Sequence, residues 1–99
     1  MSFVILSSKP GVYHTDANAD LRVVETWDYQ FCGQTKTSFS IAELVRACKV
    51  RVTDEAPPEK VALVPSKFLP SFDSVEAARR ELHVLVGFGS IDAALERRP

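Results

Sequence analysis

The chain has 99 residues, a formal net charge of −1, 45% hydrophobic residues, 25% charged residues and two cysteines. These values suit one globular domain over residues 1–99. They lack the basic excess of nucleic-acid-binding proteins, the apolar span of a membrane protein and the cysteine density of a disulfide scaffold. We therefore expect a cytoplasmic domain with its own core, in which Cys32 and Cys48 are reduced.

The N-terminal third predicts a strand followed by a loop. Residues 3–8 are rich in β-forming residues and apolar on both faces, which favours an interior strand. Lys9, Pro10 and Gly11 end it. Residues 13–20 are short and polar, and they are interpreted as a surface loop that carries His14.

Three alternating segments, residues 23–31, 37–41 and 48–52, predict an antiparallel meander that brings the sheet to four strands. Period-two alternation places the first segment's apolar side chains on one face: Val23, Trp27, Tyr29 and Phe31. A three-residue reversal at residues 33–35 would set Tyr29 opposite Phe39, whereas a two-residue loop would turn Phe39 to the wrong side.

Residues 54–72 contain four of the chain's six prolines and show no regular alternation. Because proline lacks the amide proton that a central strand requires, we interpret this segment as an irregular strap that docks through side chains. Its apolar residues are too numerous for a free linker, and they are the candidate partner-binding residues: Val61, Leu63, Phe68 and Leu69.

One helix is predicted after the strap, with Asp73 as N-cap and Glu76 completing a capping box. Ser74 is the alternative cap. The helical period buries Leu82 and Leu85 and exposes three other residues, Arg79, Arg80 and His83, and Gly87 ends the helix. Residues 90–98 fit either another helical turn or a short edge strand. The prediction is an α+β fold with one C-terminal helix packed on one face of the sheet.

No motif carries a recognisable chemistry. The candidate metal ligands, His14, His83, Cys32 and Cys48, form no closely spaced pair, so we expect neither metal nor cofactor. Residues 13–16 include an imidazole beside a carboxylate, which would suit a general base, but the same residues are ordinary turn formers. Residues 86–91 partly match an RNA-binding motif without its basic residue.

Two functional hypotheses remain. The first is a small non-enzymatic accessory protein that contacts another protein or a second copy through the strap residues, without nucleic acid or membrane partners. The second is a small-molecule-binding domain or minor enzyme with an apolar pocket between sheet and helix. That pocket would be lined by Trp27, Tyr29, Phe39 and His14.

Overall fold

The computed structural model describes residues 2–31, 33–86 and 93–98. The strands are β1 (Ser2–Ser8), β2 (Tyr13–Asp16), β3 (Leu21–Phe31), β4 (Gln34–Leu44), β5 (Lys49–Asp54), β6 (Val61–Pro65), β7 (Ser71–Phe72) and β8 (Ala93–Arg97). They are joined by helix α1 (Val75–Val86) and a 3-10 helix (Ser66–Phe68). Every described pairing is antiparallel, which confirms the α+β class.

The strands form two sheets instead of the predicted single sheet of four. A five-stranded sheet has the order β7-β1-β4-β3-β8, and a three-stranded sheet has the order β2-β5-β6. The meander prediction was wrong at its third strand, because β4 already pairs with β1 and β3 and has no free edge for β5. The inward and outward alternation of β5 was predicted correctly, with Val50 buried and Lys49 and Arg51 exposed.

Two core clusters cover opposite faces of the five-stranded sheet. One joins the sheet to α1 and consists of Phe3, Ile41, Ala78 and Leu82. The other joins it to the three-stranded sheet and consists of Val4, Leu6, Leu21, Ala42 and Val50. Strand β1 therefore lies inside the fold and buries side chains on both faces, as its sequence predicted.

The second sheet combines the predicted strand β5 with two strands that were not predicted. Residues 13–16 form β2, where a loop was predicted, and residues 61–65 form β6 within the predicted irregular strap; both pair with β5. The strap interpretation overestimated the effect of proline. Pro65 is the last residue of β6, where a missing N–H is tolerated, and Pro57 and Pro58 precede the strand.

The β3–β4 hairpin keeps the predicted shared face but has a different register. Trp27 pairs with Phe39 and Tyr29 pairs with Thr37, so Tyr29 and Phe39 share a face as diagonal neighbours. The last pair of the hairpin is Phe31 with Gln34, which leaves two positions for the reversal instead of the predicted three. Cys32, one of those positions, lies outside the described residues.

A β-bulge reconciles the shorter reversal with the shared face. The register shifts by one residue between Tyr29 and Gln30, where β4 contributes an additional residue, Lys36. A two-residue loop alone would have placed Phe39 on the face opposite to Tyr29. The extra residue in β4 shifts the pairing by one position and returns Phe39 to the face of Tyr29. Gly33 adopts φ +77° in this reversal, a conformation that glycine adopts without strain.

A second bulge corrects the prediction for Val23. The register shifts between Val23 and Glu25, so Val23 pairs with Ala42 on the face opposite to Trp27. Val23 is exposed rather than part of the aromatic row. Alternation counted along the sequence could not detect this shift, because Val24 is as good a strand residue as its neighbours.

Helix α1 confirms most of the predicted segment and distinguishes between its two predicted caps. The Ala77 N–H donates to Ser74 Oγ at 3.1 Å, so Ser74 caps the helix rather than Asp73. Leu82 is fully buried as predicted, whereas Leu85 is 57% exposed, so its predicted burial was wrong. Gly87, the predicted terminator, lies outside the described residues. No helix in the described ranges is long and apolar enough to cross a membrane.

The C-terminal segment resolves the choice left open by the sequence. Residues 93–97 form the edge strand β8, which pairs with residues 27–31 of β3. Of the predicted segment, residues 90–92 lie outside the described part of the chain. Strand β8 brings Arg97 and Arg98 to the side of β3, where they meet two carboxylates.

Candidate functional site

Three of the four predicted ligand-binding residues lie together. Trp27 and Phe39 pair directly and pack against the core cluster beneath α1, and Tyr29 follows on the same face. The Trp27 and His83 rings meet edge to face, with centroids 5.7 Å apart at 76°. These aromatic side chains therefore contribute to the sheet–helix contact, and their role in ligand binding stays a prediction.

The fourth predicted ligand-binding residue, His14, lies on β2 in the other sheet. Its Nε2 is 3.7 Å from Asp16 Oδ2 and its Nδ1 is 3.8 Å from Glu55 Oε1. Thr15 Oγ1 donates to the Ser7 carbonyl at 2.6 Å. Neighbouring strand residues point to opposite faces, so the structure does not combine His14 and Thr15 into a nucleophile–base pair.

A buried carboxylate, Glu25, is the main polar group that the sequence analysis missed. Glu25 is only 6% exposed and accepts from Arg79 Nε at 2.8 Å and 2.9 Å through its two oxygens, and also from Arg79 Nη2. Trp27 Nε1 donates to Glu25 Oε1 at 3.0 Å, and Arg97 Nη2 is 3.6 Å from Oε2. The predicted exposure of Arg79 was therefore wrong: it is half-buried.

The contacts around Glu25 keep its carboxylate ionised. The hydrogen bonds from Arg79 lower the pKa of Glu25 despite its burial, which acts in the opposite direction, and the Trp27 N–H lowers the pKa further. Both carboxylate oxygens accept hydrogen bonds. A carboxylate held ionised in this way is poorly suited to exchange protons near neutral pH, and it instead links β3 to α1 and β8.

A second ion pair binds the end of β8 on the opposite face of β3. Arg98 Nε donates to Asp28 Oδ2 and Arg98 Nη2 donates to Oδ1, both at 2.8 Å. Ser38 Oγ donates to Oδ1 at 2.8 Å. The Arg98 guanidinium lowers the pKa of Asp28 against the effect of partial burial. Arg97, beside Glu25, and Arg98, bound to Asp28, thus hold the C-terminal segment on opposite faces of β3.

The described ranges contain no group of three His, Cys, Asp or Glu side chains placed to hold a metal ion. Cys48 is a half-buried free cysteine whose backbone N–H donates to Ser66 Oγ at 3.1 Å. In return, the Ser66 N–H donates to the Cys48 carbonyl at 2.8 Å. This reciprocal contact fixes the 3-10 helix to the beginning of β5.

Three of the four predicted partner-binding residues are exposed large apolar side chains. Val61 is 52%, Leu63 58% and Phe68 70% exposed, and we call these three residues the 61–68 surface. Leu69 differs, because it is half-buried and packs against the core cluster between the sheets. Strand β6, which carries Val61 and Leu63, is the edge strand of its sheet, with β5 as its described neighbour.

Comparison with known proteins gives no relative from which a role could be transferred. No family model matches the chain, and neither the curated proteins nor the solved structures contain a significant match.

Proposed function

We propose that this protein is a small non-enzymatic binding or accessory protein that contacts a protein partner through the 61–68 surface. The main support for this proposal is that three large apolar side chains are exposed on an edge strand and on the 3-10 helix that follows it. Exposed apolar residues on a sheet edge favour association, because both side chains and unpaired backbone groups can be satisfied by another chain.

The geometry of β6 supports contact by strand addition. Val61 and Leu63 are two residues apart and share a face, while the backbone of this edge strand pairs with β5 on one side. An added strand could form backbone hydrogen bonds along residues 61–64 and cover the two side chains. Pro65 has no N–H and would end the pairing.

The polar clusters support a non-catalytic role. The two carboxylates with lowered pKa, Glu25 and Asp28, are held by arginine side chains that join strands and helix. They have the character of structural ion pairs. We therefore propose that the partner recognises the 61–68 surface. A second copy of the chain is the simplest candidate partner, and a different protein is the alternative.

The test is a comparison of Leu63→Glu with Val45→Glu. Leu63 and Val45 have similar exposures of 58% and 56%, so neither substitution should unfold the chain. We expect Leu63→Glu to reduce the assembled species, measured by sedimentation velocity and by the stoichiometry of the copurified complex, while Val45→Glu leaves it unchanged. Equal assembly of both variants and the parent protein would contradict the proposal.

A further inference from the structure

A cavity of about 140 Å³ lies between the two sheets. Its apolar lining comes mainly from both core faces: Leu6, Val50, Val52, Val64 and Leu69. Leu6 and Val50 are buried and the other three are half-buried, so the cavity reaches from the core towards solvent. It is separate from the predicted aromatic pocket beside α1.

Three of the lining residues carry hydroxyl groups. These are Ser7, Tyr13 and Thr15, and Ser7 Oγ and Tyr13 Oη are 3.0 Å apart. Thr15 directs its hydroxyl proton to the Ser7 carbonyl. The Ser7–Tyr13 hydrogen bond uses one of its two hydroxyl protons and leaves acceptor lone pairs, so this wall can hydrogen-bond a ligand hydroxyl.

We propose that this cavity binds a one-ring aromatic molecule that carries a hydroxyl group, with phenol as the simplest member of the class. An apolar protein cavity of about 150 Å³ is known to bind benzene, so the volume suits one aromatic ring. The apolar residues would surround the ring, and the Ser7 and Tyr13 hydroxyl groups would form a hydrogen bond with the hydroxyl group of the ligand. This inference is independent of the 61–68 surface, because Val64 faces away from Val61 and Leu63.

Phenol and benzene are the probes for the test. Titration of each into the folded chain is followed by methyl NMR, with valine and leucine methyl groups as reporters. We expect saturable one-to-one binding of phenol, with shift changes concentrated at Val50, Val52 and Val64 and an increased unfolding temperature. Absence of saturable phenol binding at millimolar concentration would overturn the proposal.

Two variants test the placement of the ligand. Tyr13→Phe should weaken phenol binding by up to about tenfold and leave benzene binding unchanged, because it removes one hydroxyl without removing the ring. Val64→Phe should abolish binding of both probes by filling the cavity, while Val45→Phe, at an exposed position, should retain it. If Val64→Phe does not fold, Val52→Leu provides the smaller filling substitution. Binding that survives cavity filling, or equal loss for both probes in Tyr13→Phe, would contradict the assignment.

Discussion

Two regions of the molecule place the same residue types in opposite environments. One is the contact between α1 and the five-stranded sheet, and the other is the 61–68 surface. Leu82 on α1 is fully buried, whereas Leu63 on β6 is 58% exposed. The difference arises from the packing of the elements that carry these residues. Helix α1 packs on the sheet through Leu82, whereas β6 is an edge strand on which Leu63 is exposed. Apolar side chains therefore form the core in one region and a solvent-exposed surface in the other.

The largest expected effect separates these two leucines directly. Leu82→Ala should lower the free energy of unfolding by about 2–5 kcal/mol, because it leaves a cavity in a packed core. Leu63→Ala should change it by less than about 0.5 kcal/mol, because the side chain is already largely hydrated. Urea denaturation of the isolated chain measures both values, and similar losses would show that Leu63 belongs to the core.

The next effect concerns the ion pair beneath α1. Arg79→Met should lower the urea midpoint more than Arg80→Met, because it leaves the buried Glu25 carboxylate without its main partner. Arg80 is exposed and provides the matched control. Equal midpoints for the two variants would show that the Glu25–Arg79 contact does not stabilise the fold.

The same ion pair predicts a pH dependence. Since the folded state lowers the pKa of Glu25 from its ordinary value of 4.5, the stabilising contribution of the ionised carboxylate is present above that value and is lost as the pH falls through the folded pKa. The difference in stability between the parent protein and Arg79→Met should therefore shrink below about pH 4. A difference that grows on acidification would reverse the assigned sign.

A smaller effect tests the beginning of α1. Ser74→Ala should lower the free energy of unfolding by about 0.5–2 kcal/mol, because it removes the hydroxyl that accepts the Ala77 N–H. Asp73→Ala should have the smaller effect. Thermal unfolding of the two variants distinguishes the caps, and a larger loss in Asp73→Ala would favour the cap that the sequence predicted.

The sequence predicted the elements with strong periodicity. Leu82 follows the helical period, and Trp27, Tyr29 and Phe39 follow strand alternation, so their shared faces could be predicted before the register was known. The interior position of β1 followed from its apolar residues on both faces. These are local signals that tertiary contacts did not override.

Two kinds of information lay outside the local pattern. A bulge adds one residue without a composition signal, which is why the face of Val23 was wrong. Short edge strands such as residues 13–16 and 61–65 become strands only because β5 pairs with both of them. The Glu25–Arg79 contact joins positions 54 residues apart, and pairing over that distance is set by the fold.

The direct test of the central claim is photo-crosslinking from position 63 in the otherwise unchanged chain, with position 45 as control. A photoreactive phenylalanine analogue replaces Leu63 or Val45, which are similarly exposed. Mass spectrometry of the crosslinked product identifies a second copy or another protein. We expect a defined product from position 63 and little from position 45. Equal yields from both positions, or no product from position 63, would contradict a contact role for the 61–68 surface.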